Sequence, residues 1–319
     1  MKRKVNLVGQ NTLTISLPTK WVLKRGIKKG QELEVTENGD SLIVQSNELA
    51  KKVRKVVLDI EKFDKLMLNR YLDELYRIGV EEIALKFSKD TIPDYKNNRQ
   101  MNIYDYVKDV VHRFIGMEVI SQKNNVIVLQ SLITNEDVEK IDMVEHRLFF
   151  LIKEFFDEFQ SSISGDFKGF HSKTYAYHDN IAKFTYYYFR LLNFSDLPEE
   201  EKTRLFGLYT MIDLVIDKLR HTSERFVEQK HKSKKLESVL KEIFSLFLEQ
   251  FDIVFKKNFS LEEVDHIVGK RYRLVEKINK EKFNEEESRV MAECKILLDT
   301  INPFLEAYVA RNMDKYLQP

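Results

Sequence analysis

The stretch TLTISLPTKWVLKRGIKKGQELEV, residues 12–35, decides how the first part of this chain folds. Thr12 to Leu17 alternates, with Leu13, Ile15 and Leu17 on one face, and a period of two marks a half-buried strand. Pro18 stops it, because proline has no N–H to give a ladder. Thr19 to Gly26 predicts a short helix, with Thr19 as its cap and Gly26 ending it in a left-handed conformation. Leu33 and Val35 alternate again, Asn38-Gly39-Asp40 is a hairpin signal, and Leu42-Ile43-Val44 returns. With Val5 to Val8 ahead of it, the segment 1–50 reads as β-β-short helix-β-β. Strands so short cannot bury their apolar faces alone, so pairing with a second copy is expected.

Charge singles out the same segment. Residues 1–30 carry Lys2, Arg3, Lys4, Lys20, Lys24, Arg25, Lys28 and Lys29 and no acid, although the whole chain of 319 residues has a net charge of only +1. Lysines and arginines on such a module neutralise phosphates and release counterions, which gives affinity for duplex DNA at any sequence. The candidate DNA contacts are Lys2, Arg3 and Lys4 on the first strand with Lys20, Lys24 and Arg25 around the short helix. The competing reading is a solvated surface on a dimerisation module. Trp21, the one tryptophan, is read as core rather than as a base-stacking residue.

Outward from this head, the chain holds ten Gly and five Pro, which suits a mostly helical α+β multidomain protein. The segment 52–133 alternates strand and helix: Val53 to Ile60, Lys62 to Arg77, Glu82 to Phe87, Ile103 to Phe114, and a hairpin of Met117 to Ser121 with Val126 to Gln130 across Asn124-Asn125. This predicts a ferredoxin-like α/β sandwich with one long loop, Lys89 to Met101. From 135 to 319 apolar residues recur at helical spacing only, and start signals at Pro198, Ser260 with Glu263, and Asn284 with Glu287 divide the region into six helices.

Those helices read as three plus three, with repeats at about 135–229 and 231–316. LFFLIKEFFDEF (148–159) lies over IFSLFLEQFDIV (243–254), His178-Asp179-Asn180-Ile181 over Val264-Asp265-His266-Ile267, and IDLVIDK (212–218) over CKILLDT (294–300). The matches keep their order, as a duplicated unit would. General likeness among amphipathic helices is the alternative.

Two resemblances follow from these residues. Val5-Asn6-Leu7-Val8-Gly9, Leu13-Thr14-Ile15-Ser16-Leu17-Pro18 and Gly26-Ile27-Lys28-Lys29-Gly30-Gln31-Glu32-Leu33-Glu34-Val35 are similar to the AbrB/SpoVT/MazE superfamily pattern. That likeness implies a swapped-hairpin β-barrel, a DNA-binding homodimer. The six-helix repeat resembles the PhoU family of phosphate-uptake regulators, whose third helices carry an acidic-x-x-x-acidic signature, here Asp213 to Asp217. An AbrB-like head on a PhoU-like body looks like the archaeal branch of that family. The resemblance implies a transcriptional regulator of phosphate uptake, or else an adaptor acting on a phosphate-transporter ATPase or its sensor without DNA. It also raises a divalent metal ion, with Asp213, Asp217 and Asp299 as ligands. The repeat departs from the signature at Lys295, which replaces the acid matching Asp213 and would repel a cation, so at most one site is expected. The carboxylates could equally be solvated, or paired with Lys or Arg of a neighbouring helix.

Other classes find little support. A lone cysteine, Cys294, excludes an intramolecular disulfide and suits a reducing compartment, so a cytoplasmic protein is expected. No eighteen-residue apolar run offers a spanning helix, and the polar stretch after Met1-Lys2-Arg3-Lys4 is no signal peptide. There is no Gly-rich phosphate loop, Gly-x-Ser-x-Gly or His-Glu-x-x-His, so an enzyme is not expected. The histidines (His112, His146, His171, His178, His221, His231, His266) are dispersed and read as surface or packing residues. Tyr186-Tyr187-Tyr188-Phe189 should face two neighbouring helices at once, since successive helical residues point about 100° apart.

Overall fold

The computed structural model describes residues 2–38, 41–46, 54–132, 139–163, 167–227, 233–255 and 260–315. The turn at Gly39-Asp40, His231 and the chain at 135–138 lie outside them. Two compact units form, Met1–Val53 and Arg54–Pro319, and the α/β and helical regions both lie in the second.

In the first unit β1 (Val5–Val8) and β2 (Thr12–Ile15) form one antiparallel pair, and β3 (Leu33–Asn38) and β4 (Ser41–Ser46) form another. Between them lies α1 (Thr19–Arg25), ended as expected by Gly26 at φ +66°. Its N-cap is Pro18, not Thr19, and no side chain caps it; the Pro18 carbonyl accepts from the Trp21 and Val22 N–H groups instead. Lys2, Arg3 and Lys4 precede β1 rather than lying on it. The expected barrel is not closed within a single copy: the strands make two separate two-stranded sheets.

The second unit begins with β5 (Lys55–Asp59), α2 (Lys65–Arg77), β6 (Glu82–Lys86), β7 (Thr91–Asp94), β8 (Arg99–Asn102), α3 (Ile103–Val111), β9 (Met117–Lys123) and β10 (Val126–Ser131). The main sheet has the order β5-β6-β10-β9, with β5 and β6 parallel and the other pairs antiparallel. Leu68 and Leu72 of α2 and Val107 and Val110 of α3 pack with Ile83, Leu85, Ile127 and Leu129 of the sheet, giving a two-layer sandwich. Its topology corrects the ferredoxin-like expectation. In a ferredoxin-like unit another strand splits the two parallel strands of βαβ, whereas β5 and β6 are direct neighbours and β10 takes the far edge of β6. The hairpin turn at Asn124 and Asn125 has φ of 53° and 58°, the left-handed pair that asparagine tolerates.

Lys89 to Met101 is not a loop: β7 and β8 pair there, with Pro93 opposite Gln100. A two-stranded ribbon leaves the missing proline N–H facing no third strand. Asp94 fixes its turn. Its buried carboxylate accepts from Asn97 at 2.7 Å and Lys65 at 3.2 Å, and these bonds hold it down to about 2.

The helices are α4 (Ile141–Ile163), α5 (Phe167–Phe194), α6 (Glu199–Val227), α7 (Lys234–Phe255), α8 (Leu261–Lys280), α9 (Glu285–Asp299) and α10 (Ile301–Arg311). These are seven among the described residues, not six, because the last expected helix breaks at Thr300. Pro303 explains the break: it fits the first turn of α10, where its lack of an N–H costs nothing, but not the interior of a continuous helix. Two of the expected helix starts carry side-chain caps. Asn284 and Glu287 form a reciprocal capping box, while Ser260 supplies one bond, accepting from the Glu263 N–H.

The two sets of helices are in phase. Ile212, Val215 and Ile216 on α6 are buried, as are their counterparts Cys294, Leu297 and Leu298 on α9, while Leu214 and Ile296 are both exposed. First packs on first, α4 on α7, and third on third, α6 on α9 and α10. Their shared core is rich in phenylalanine, with Phe159 and Phe244 stacked at 3.6 Å between centroids. Helix α5 belongs to both cores of the unit. Ala182 and Tyr186 pack with α2, Tyr187 to Phe189 with the bundle, so the aromatic run faces two neighbours as expected.

Candidate functional site

The first candidate surface lies on the head. Lys2, Arg3, Lys4, Lys20, Lys24 and Arg25 are all exposed, and so are Lys28 and Lys29. Lys20 and Lys24 stand one turn apart and share a face of α1. Trp21, read as core, is half-buried, and no residue of α1 is fully buried. Beside these charges lie uncovered apolar side chains: Leu13 is 69% exposed and Leu23 76%, and Val5, Leu7, Val8, Ile15, Val35 and Leu42 are exposed too.

The second candidate is the acidic signature on α6. Burial pushes the Asp213 carboxyl up; Arg77, 3.9 Å away, and His178 pull it down without reversing the shift. Burial, the largest single influence, raises Asp217, but the hydrogen bond from Arg220 at 2.9 Å and the charges of Arg220, His221 and His178 together outweigh it and hold the carboxyl below its usual value. His178, read from the sequence as a packing residue, reaches Asp217 through Nε2 at 3.5 Å and Asp179 through Nδ1 at 3.4 Å. Asp299 is elsewhere occupied: Arg271 of α8 meets it at 2.5 Å and also donates to the Leu298 carbonyl, capping α9. Lys295 donates to Asn279.

The expected ligands therefore do not fit a metal ion as they stand. Each carboxylate already faces a guanidinium, and among the described residues no group of three or more His, Cys, Asp or Glu is placed to hold one. Asp213 and Asp299 take the alternative of a basic partner on a neighbouring helix, Arg77 of α2 and Arg271 of α8, whereas Asp217 pairs with Arg220 of its own helix.

Sequence reasoning missed the junction between α2 and the bundle. Helix α2 ends in a Schellman turn: the Gly79 N–H (φ +85°) donates to the Tyr76 carbonyl and the Val80 N–H to that of Leu75. Arg190 of α5, wholly buried, donates to the Tyr76 and Val80 carbonyls at 2.8 and 3.0 Å, and Asn193 donates to that of Arg77. The negative end of the helix dipole thus serves where an anion would. A charge following Tyr-Tyr-Tyr-Phe in an apolar run was the one available signal.

Asp73 lies in the same junction, 3% exposed, accepting from Asn69 at 2.7 Å through one oxygen while the other has no hydrogen-bond partner. Burial lifts its carboxyl to about 6 despite Arg113 and Arg77. An unfolded aspartate titrates near about 3.9, so between these values the folded state holds the extra proton and stability falls as pH rises, staying reduced above. Asp73→Asn should therefore stabilise the chain by about 1–2 kcal/mol at pH 8 and by much less near pH 4. Urea midpoints at the two pH values check this; equal shifts at both would refute the raised carboxyl.

Comparison with known proteins adds no relative: no family model, curated protein or solved structure matches the chain. No helix among the described residues is long and apolar enough to cross a membrane.

Proposed function

We propose that this chain is a homodimeric, DNA-binding transcriptional regulator, an AbrB/SpoVT/MazE-like head carrying a PhoU-like body, and that it acts on phosphate uptake. One observation carries the reading: the first unit exposes apolar strand residues, Leu7, Leu13, Ile15 and Val35 among them, together with the basic side chains of its acid-free first thirty residues. Two-stranded ribbons are marginal alone, and interleaving with a second copy is the economical way to cover Leu7, Leu13, Ile15 and Val35. A two-fold pair would present two copies of Lys20, Lys24 and Arg25 to two half-sites on a duplex. The in-phase burial of α6 and α9 supports the duplicated body that the PhoU-like part of the reading needs. The competing reading, an adaptor for a phosphate transporter or its sensor, leaves the basic surface without a ligand.

Full-length protein should bind duplex DNA with affinity falling steeply between about 50 and 200 mM salt. Lys20→Ala with Lys24→Ala should weaken binding to all sequences alike and flatten the log–log salt slope by about 1 for each phosphate left without its cation. Binding that is absent at low ionic strength, or insensitive to salt, would remove DNA from the proposal and favour the adaptor.

A further inference from the structure

Among the described residues of the second unit, helices cover one face of the main sheet. Helices α2 and α3 lie on the side of Ile83, Leu85, Ile127 and Leu129, and α5 packs behind α2. On the other face Val57, Ala84 and Val128 stand opposite one another across β5, β6 and β10, with Ile120 beside them on β9, where the register with β10 shifts. Val57 is 60% exposed and Ile120 51%.

Charged rows flank the apolar one. The pairing registers place Lys55, Glu82, Gln130 and Glu118 in one row, and Asp59, Lys86, Val126 and Lys123 in the other. Sign for sign, the second row is the inverse of the first. If a second copy is turned over about an axis along the apolar row, Lys55 meets Asp59 of the second copy, Glu82 meets its Lys86, and Glu118 meets its Lys123. Val57, Ala84 and Val128 then meet themselves.

We propose that two copies of this chain pack through this face, α/β layer against α/β layer. Four strands about 4.8 Å apart and five residues long give a footprint of only about 300 Å² per copy, well below the roughly 800 Å² per partner of a stable complex. The contact therefore rests on the N-terminal pairing proposed above, which raises the effective concentration of one sheet for the other.

The test uses full-length Val57→Cys with a short bismaleimide. Native Cys294 is wholly buried and does not compete. A covalent dimer is expected, and none from Tyr95→Cys, which is exposed on the β7–β8 turn. Adding Ala84→Glu should abolish the cross-link while sedimentation still reports a dimer. Lys86→Glu should weaken it, and Lys86→Glu with Glu82→Lys should restore it. A Val57→Cys chain that sediments as a dimer but gives no cross-link overturns the sheet contact and leaves the N-terminal pairing standing. A monomeric chain overturns both. If the thiol introduced by Val57→Cys is shielded from monofunctional maleimide without dimeric product, the chain's own residues cover the face, and the proposal is again overturned.

Discussion

Arg190→Ala is expected to destabilise the second unit by about 3 kcal/mol, through a cavity together with the Val80 carbonyl that loses the Arg190 donor, while the Tyr76 carbonyl keeps its bond from the Gly79 N–H. The guanidinium is wholly buried, lies 4.9 Å from the Tyr76 ring and 5.5 Å from that of Phe194, and serves the Tyr76 and Val80 carbonyls. Its Nε and Nη2 lack hydrogen-bond partners, so removing the charge also relieves a desolvation cost, which keeps the expected loss below that of a fully paired buried ion. Arg190→Met, which keeps much of the volume but likewise gives up the bond to the Val80 carbonyl, should lose less, about 2 kcal/mol. Hydrogen exchange should rise first in the last turn of α2, which Arg190 ties to α5. Equal stability of the alanine variant and the parent in chemical denaturation would refute this account of the junction.

Phe159→Ala should cost about 3–5 kcal/mol, the range for removing a large aromatic side chain from a packed core. Its ring is stacked on Phe244 at 3.6 Å, meets Phe170 edge-on at 4.6 Å and touches Phe226 at 5.4 Å. Because Phe159 belongs to α4 and Phe244 to α7, the loss should loosen one half of the bundle from the other. Phe150→Ala is the internal control: this ring on the same helix is 61% exposed, and its loss should change stability by less than about 0.5 kcal/mol. Calorimetry of the two variants separates a buried aromatic seam from general loss of apolar surface.

Much of the local structure was legible because it depends on a few neighbouring residues. Gly26 ends α1, Pro198 with Glu199 to Glu201 opens α6, and Asn124-Asn125 turns the β9–β10 hairpin, each by backbone stereochemistry or capping that acts within a turn. Misreadings had local causes too. Pro93 suggested a loop because proline is excluded from sheet interiors, yet a two-stranded ribbon has no interior. Thr19 suggested a cap, but Pro18 already holds the extended conformation that a cap requires, at φ −64° and ψ 123°.

The amino-acid sequence by itself determined the periodicities, hence most of the strands and helices though not β7 and β8, which apolar positions of α6 and α9 are buried, and the concentration of positive charge in the first thirty residues. Only the tertiary structure decided which charges meet. Asp299 looked available to join Asp213 and Asp217, but Arg271, 28 residues away, takes it; Arg190 answers to carbonyls more than a hundred residues earlier; His178 joins Asp179 to Asp217 across two helices. The strand order β5-β6-β10-β9, and with it the open patterned face, was settled in the same way. The reason is physical: periodicity and caps arise from interactions within a turn or two of chain, whereas the partner of a carboxylate or a strand is whichever group close packing brings nearest, and packing is decided by all the apolar faces at once.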